Sequence, residues 1–496
     1  MIVEIVLLVL VTIVSFLYIA RVRRYPHFPP GPPNYPVVGS LLALRASTPL
    51  HETLFQLSKK YGPVVGLFLG PQAKSVVVNG YEAVKHVLMR DDFANRPDGL
   101  LIRARSYNKR LGVLFSDGPL WKEQRRFSLR HLRDFGFGKR SMEGLNHEEI
   151  STLMQNLDDR ISKAGDSMDT KGIEIKDLFP VSVINILWAI MAGVRYDHND
   201  ESFKTLMFNV NEFFRNGSPT GGIMAFPLLR FVPIVNIPYK KQLVSVDVLQ
   251  KFIQKSIDDH KETYQEDNMR DFLDVFIKEL KEQENNKNST FTEEQLVVLC
   301  MDLFLAGTET TASSLGYFFL YLMQYPKVQE KMRQEIFKVV GRDRLPSLED
   351  MPKLHYVQAA TWEVLRMANL IPFTVPHFTR QKVELFGYTV PRNCLVMVNL
   401  YSVMMDDYWG DPETFRPERF IKDGVCVKNE RLILFGMGPR VCLGEPLAKN
   451  TSFLFLTSLL QKYRFSLPAH HQKPNMDHLQ GFTSSPRPYK VSVHRV

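Results

Sequence analysis

The stretch from Leu296 to Met323 constrains this chain most, because it is too apolar for a surface helix and too polar for lipid. Read as a helix, it is about 40 Å long at 1.5 Å per residue, enough to cross a bilayer. Asp302, Glu309 and the Thr310-Thr311 pair sit in its middle, where lipid exposure would cost most. The solution left is a helix buried inside a large domain and covered by protein on every face. Its start is well marked. Thr292 and Gln295 have the spacing of a capping box, and Glu293 and Glu294 suit the positive end of the helix dipole. Ala306-Gly307-Thr308-Glu309-Thr310-Thr311 then interrupts the apolar run. Gly307 lets something large approach the backbone, and mid-helix hydroxyls can bond back to the carbonyl four residues earlier and bend the helix.

A second stretch supplies the chemistry. Phe435-Gly436-Met437-Gly438-Pro439-Arg440-Val441-Cys442-Leu443-Gly444 holds one cysteine in a glycine-rich turn, and an apolar segment runs on from Leu447 towards Leu460. Arg440 can hold an anionic group. Cys442 would sit among backbone N–H groups at a helix start, a setting that favours the thiolate; an ordinary small core cysteine is the competing reading. A thiolate on haem iron pushes electron density towards an axial oxygen and favours O–O cleavage.

These ten residues resemble the haem-binding loop of the cytochrome P450 family, with Cys442 where the family's axial ligand sits. The run at 306–311 is similar to that family's oxygen-activation motif, (Ala/Gly)-Gly-x-(Asp/Glu)-Thr. The resemblance implies that Thr310 supports a water beside the distal oxygen and that Glu309 helps relay protons inward. Heterolytic O–O cleavage consumes protons, so an acid beside an alcohol is chemically apt. The fold implied is mainly α with small β-sheets, and the cofactor implied is haem b.

The same resemblance extends to weaker motifs. Asp117-Gly118-Pro119 reads as a helix start, and Trp121 and Arg125 fall on one face of that helix. The family's corresponding pair, like its residue at the position of His377, binds a haem propionate; Arg440 and Phe435 join this cofactor-binding set. Glu363 and Arg366 lie one helical step apart, a spacing that usually gives a marginal surface pair. With Arg419 the resemblance implies a buried structural network instead. Phe213 and Phe214, with Phe208 and Phe226, are candidates for a substrate roof, although such aromatics are more often core. Ala306 and Gly307 would leave room above the iron. The tail around Gln480–Ser484 is expected to return to the pocket. Val64–Leu69 and Ser75–Val78 read as a hairpin, as do Val383–Phe386 and Tyr388–Val390 around Gly387.

Residues 1–20 are almost wholly apolar and are followed at once by Arg21, Arg23 and Arg24. A cleaved signal would carry its charge before the apolar run, so a retained anchor with the chain held on the cytoplasmic side is expected. Residues 21–36 form a basic, Pro-rich linker, and 37–496 the haem-thiolate monooxygenase domain. The N-x-Ser/Thr sites at Asn216, Asn288 and Asn450 should then stay unglycosylated. Four scattered cysteines make no disulfide framework. The net charge of +9 favours an anionic membrane surface or an acidic partner, and no nucleic-acid motif is present. Arg126, Arg130, Arg133, Lys139 and Arg140 read equally as a solvated face or as a dock for an acidic electron donor.

The function implied is an NADPH- and O2-dependent monooxygenase of the endoplasmic reticulum membrane. Its partners would be a separate NADPH–cytochrome P450 reductase, membrane lipid and a small apolar substrate. The substrate expected is an isoprenoid ester such as methyl farnesoate, epoxidised at a double bond; fatty-acid, steroid and xenobiotic hydroxylation are the alternatives. A fatty acid would want a basic residue at the mouth, and Arg103, Arg105 and Arg215 are available. A redox-independent haem isomerase or lyase is disfavoured by the intact Glu309-Thr310 pair, and a non-catalytic haem sensor leaves Thr310 without a task.

Overall fold

The computed structural model describes residues 8–9, 11–12, 26–35, 37–44, 47–70, 73–137, 142–176, 178–198, 200–216, 223, 226–469 and 471–496. The anchor expected over 1–20 lies almost wholly outside the described residues, as do residues 21–25 and 36 of the linker and the pair Lys139 and Arg140. Helices dominate, with small sheets at the periphery. The elements that frame the site are, in chain order, α1 (Leu50–Tyr61), β1 (Val64–Leu69), β2 (Ala73–Val78), α2 (Gly118–Asp134), α3 (Pro180–Ala192), α4 (Glu201–Arg215), α5 (Ile237–Thr263), α6 (Glu293–Gln324), α7 (His355–Ala368), β3 (His377–Phe378), β4 (Val383–Leu385), β5 (Tyr388–Val390), β6 (Leu395–Val398) and α8 (Glu445–Lys462).

Helix α6 is the axis of the molecule. Its residues from Leu296 to Leu305 are all buried, and so are those from Leu315 to Met323. Helices α3, α5, α7 and α8 pack against it, so its apolar faces meet protein all round. Between the two buried halves, Ala306 stands open and Glu309 and Thr310 are half-buried. The hydroxyls there do bond back along the helix: Thr308 Oγ1 donates to Phe304 O at 2.7 Å and Thr310 Oγ1 to Ala306 O at 2.6 Å. At the start of α6, Thr292 Oγ1 accepts from the Gln295 N–H at 3.1 Å. The capping box is only half formed, because the Gln295 side-chain carbonyl accepts from the Gly112 N–H instead.

Strands β1 and β2 pair antiparallel, Val64 opposite Val78, and β2 begins two residues earlier than the sequence suggests. β2 continues parallel into β6, which carries β3, giving the order β1-β2-β6-β3. This sheet therefore delivers His377. In the β4–β5 hairpin Phe386 is a turn residue rather than the end of a strand, with φ 51° beside Gly387 at φ 77°.

Helix α7 carries the charged cluster. Glu363 and Arg366 are wholly buried and Arg419 almost so. Arg366 Nε donates to Glu363 Oε2 at 2.9 Å, and both Arg419 Nε and the Arg416 N–H donate to Oε1 at 2.9 Å. The guanidinium groups also hold carbonyls of the following coil, Arg366 those of Met404 and Pro412 and Arg419 that of Trp409. One carboxylate thus ties the 404–419 segment to α7. Replacing Glu363 by Ala strands two guanidinium groups in the interior, which should cost about 3–5 kcal/mol in denaturant unfolding. Glu363→Gln, which keeps an acceptor, should cost clearly less.

Candidate functional site

A cavity of about 1410 Å³ opens between α6 and the loop that precedes α8. Cys442, Phe435 and Arg440 line it from the loop, and Ala306, Gly307 and Thr310 from α6. Trp121 and Arg125 reach it from α2, His377 from β3, and Phe213 and Phe214 from the end of α4. The tail returns as expected, with Phe482 6.0 Å from the Phe213 ring and its N–H on Phe214 O at 3.2 Å. The other two roof candidates fail. Phe208 is 63% exposed on the outside of α4, and Phe226 is not on the wall.

The cysteine loop is closed by the Cys442 N–H on Phe435 O at 2.9 Å. Gly438 is required there, since a Cβ would lie 2.2 Å from Leu88 O, and its φ is +67°. Cys442 faces the cavity rather than the molecular surface. Burial pushes its thiol up; the N–H groups of Gly444 and Glu445 and the Arg125 charge pull the other way without prevailing. The helix start therefore does not by itself make a thiolate, and coordination to a metal, which deprotonates a thiol outright, would have to do so.

Around the other rim lie three guanidinium groups. Arg440 stacks 3.7 Å above the Trp121 ring and donates to Ala94 O at 2.7 Å and Ser116 O at 2.8 Å. Arg125 donates to Val441 O at 2.6 Å. The third, Arg96, is 4% exposed and has no sequence signal; it donates to Leu114 O at 3.1 Å. Burial first, and then mutual repulsion, pushes Arg440 down to about 8 and Arg96 to about 9, and burial lowers Arg125 as well. One carboxylate stands close to them. Burial works against the ionised form of Asp117, yet hydrogen bonds from Arg110, the Arg96 N–H and Arg380 hold it at about 2. The balance is strongly positive, and a group carrying two carboxylates fits that charge. Such a group, haem, would be held by Cys442 at its metal and by Arg96, Arg125 and Arg440 at its acid side chains. His377 is buried at the same rim. Its Nδ1 lies 2.7 Å from Phe93 O, and burial followed by Arg96 keeps the ring neutral.

Two expectations for α6 change. A Cβ on Gly307 would lie 2.8 Å from Leu187 Cδ2, so the space this glycine leaves is taken by α3 packing against α6. Glu309 is not on the cavity wall, whereas Thr310 is. Its Oε1 accepts from Ser313 Oγ at 3.2 Å, and burial raises its carboxyl to about 7 despite Ser313, Arg215 and Lys176. A carboxyl poised near neutrality can both give and take a proton.

A family model described as Cytochrome P450 matches residues 29–493. Farnesoate epoxidase of Bombyx mori is 35% identical over 463 residues, covering 92% of this chain and 91% of its own length. Probable cytochrome P450 303a1 of Drosophila melanogaster is 34% identical over 470 residues, 92% of each chain. Cytochrome P450 2J3 of Rattus norvegicus is 35% identical over 465 residues, 92% of this chain and 89% of its own.

The raised Glu309 carboxyl makes a signed prediction. Below pH 4.5 it is protonated in folded and unfolded chains alike and costs nothing. Between about 4.5 and 7 the unfolded chain ionises while the folded one resists, so stability falls. Glu309→Gln should therefore raise Tm at pH 8 and leave it unchanged at pH 4. An equal effect at both pH values would mean that the carboxyl is not raised.

Proposed function

The chain belongs to the cytochrome P450 family of haem-thiolate monooxygenases, and from that premise we propose how its own residues serve the reaction and on what substrate. The reading rests chiefly on one observation: Cys442, Thr310, the buried Arg96 and the half-buried Arg125 and Arg440 share the wall of one largely apolar cavity. Haem bound there supplies the activation of O2 and the transfer of one oxygen atom to the substrate.

Cys442 would hold the haem at its metal, and Arg96, Arg125, Arg440 and His377 would meet its acid side chains. Thr310 presents its hydroxyl to the cavity and orders a water there, while Glu309 exchanges protons from behind the wall. Electrons come from NADPH through a separate flavoprotein reductase. Arg126, Arg130 and Arg133, all exposed along α2, form part of its dock. The protein is held at the endoplasmic reticulum membrane by residues 1–20.

The substrate is an uncharged isoprenoid ester of the methyl farnesoate type, epoxidised at a double bond. Two of the three cations that could meet a fatty-acid carboxylate are already paired. Arg103 pairs with Asp98, and the buried Arg105 with Asp302. Arg105 and Arg215 both line the cavity, Arg105 with its charge met by Asp302. The likeness to a farnesoate epoxidase supports the isoprenoid skeleton.

Cys442→Ser should abolish the strongly red-shifted Soret band of the ferrous carbon monoxide complex. Thr310→Ala should keep that band yet lower product per NADPH roughly tenfold or more, with hydrogen peroxide released instead. Turnover with reconstituted reductase on methyl farnesoate, farnesoate, arachidonate and a small aromatic probe tests the substrate. A clear preference for any of the last three overturns the ester.

A further inference from the structure

The reaction as described gives no task to Asp302. It lies about two turns before Thr310 on α6, is 2% exposed, and faces the Gly112–Ser116 loop rather than a solvated surface. One oxygen, Oδ1, takes the Arg105 guanidinium. The other, Oδ2, accepts from the Val113 N–H at 2.8 Å and the Leu114 N–H at 2.9 Å. Three donors thus converge on one buried carboxylate.

The loop is shaped around this carboxylate. Gly112 has φ +81°, and a Cβ on it would fall 2.1 Å from Asp302 Oδ2. Its N–H is taken by Gln295 Oε1 at 2.8 Å, also from α6, and its carbonyl accepts from Ser116 Oγ at 2.5 Å. The N–H edge of the loop thus belongs to α6.

The carbonyl edge belongs to the arginines. Val113 O accepts from Arg440 Nη1 at 3.4 Å, Leu114 O from Arg96 Nε at 3.1 Å, and Ser116 O from Arg440 Nη2 at 2.8 Å. The Leu114 N–H and the Val113 carbonyl are the two ends of a single peptide plane. Asp302 grips one end and Arg440 the other. A peptide unit is rigid, so shifting one end must tilt the other. A carboxylate on its N–H also polarises the unit and makes its carbonyl a better acceptor.

We propose that Asp302 is a positioning residue for the haem propionates: through the Val113–Leu114 peptide plane it sets the Arg440 guanidinium, and through the next carbonyl that of Arg96. The assignment rests on the haem reading above. Direct contact between Asp302 and the cofactor plays no part in it. The same loop walls the cavity with Val113, Leu114 and Phe115, so the placement of Arg440 and the shape of the cavity are set together.

The test uses the holoenzyme of the wild type and of Asp302→Asn, Asp302→Leu and Gly112→Ala. The last keeps the carboxylate itself but drives a Cβ against its Oδ2, forcing the loop and Asp302 apart. Two quantities are measured: the rate of haem release to excess apomyoglobin, and the propionate bending bands in resonance Raman spectra. Asp302→Leu and Gly112→Ala should release haem at least tenfold faster and shift the propionate bands, with the red-shifted thiolate Soret band retained. Asp302→Asn keeps an oxygen acceptor but loses the charge, and should fall between wild type and Asp302→Leu. Should Asp302→Leu not fold, Asp302→Asn and Gly112→Ala carry the test. Wild-type release rates, or faster release with unmoved propionate bands, would overturn the proposal and reduce Asp302 to a packing role. Failure of the wild type itself to show the thiolate band would instead overturn the haem reading.

Discussion

Concentrated positive charge, withheld from water, is the constraint that most of this structure answers to. Arg96, Arg125 and Arg440 converge on one rim, and Asp117 is shared with Arg110 and Arg380 as well. An isolated guanidinium in such a place would cost several kcal/mol. Here the cost is spread over backbone carbonyls at 94, 113, 114, 116, 376 and 441. That arrangement satisfies donors without cancelling charge. The loops before α2, before β3 and before α8 are therefore held by the same arginines that would bind the cofactor's acid groups.

Those loops are what the sequence conveyed least well. Arg96 lies in an Asn-Arg-Pro run with no periodicity and no motif, and its role follows only from the meeting of segments some 280 residues apart, as in its contact with His377. Trp121, Arg125 and Cys442 could be read because each belongs to a short local pattern of helix face or turn. The α6 helix could be read for another reason. An apolar run with polar residues at its centre has few physical solutions, and the one in which both ends are buried and the middle faces a cavity is what forms.

Where the reading of single residues went astray, a neighbouring element decided the outcome. Gly307 has the right chemistry for room above a cofactor, but Leu187 of α3 occupies the space. Gln295 has the spacing of a capping residue, yet its side chain reaches Gly112, where a buried N–H would otherwise lack an acceptor. Phe208 carries an aromatic ring about one and a half turns from the two roof residues and faces outward, because a helix turns through about 100° per residue and 208 falls on the other side. Local sequence specifies which bonds a residue can make, and the tertiary neighbours choose among them.

Helix α6 shows why such choices matter for reactivity. A helix buried from end to end would be the most stable core, and one lined with polar groups the most versatile wall. This helix divides the two tasks by position. Its ends, from Leu296 to Leu305 and from Leu315 to Met323, carry the packing. Its middle keeps two hydroxyls bonded to its own backbone and one carboxyl turned aside, so that a single open turn faces the cavity without leaving the main chain unsatisfied. Thr310 can give up its bond to Ala306 O for a water or a substrate atom at little cost, since the carbonyl it leaves retains its helical partner. Rigid ends around one adaptable turn are what a site needs if it is to keep its cofactor in place and still exchange protons beside it.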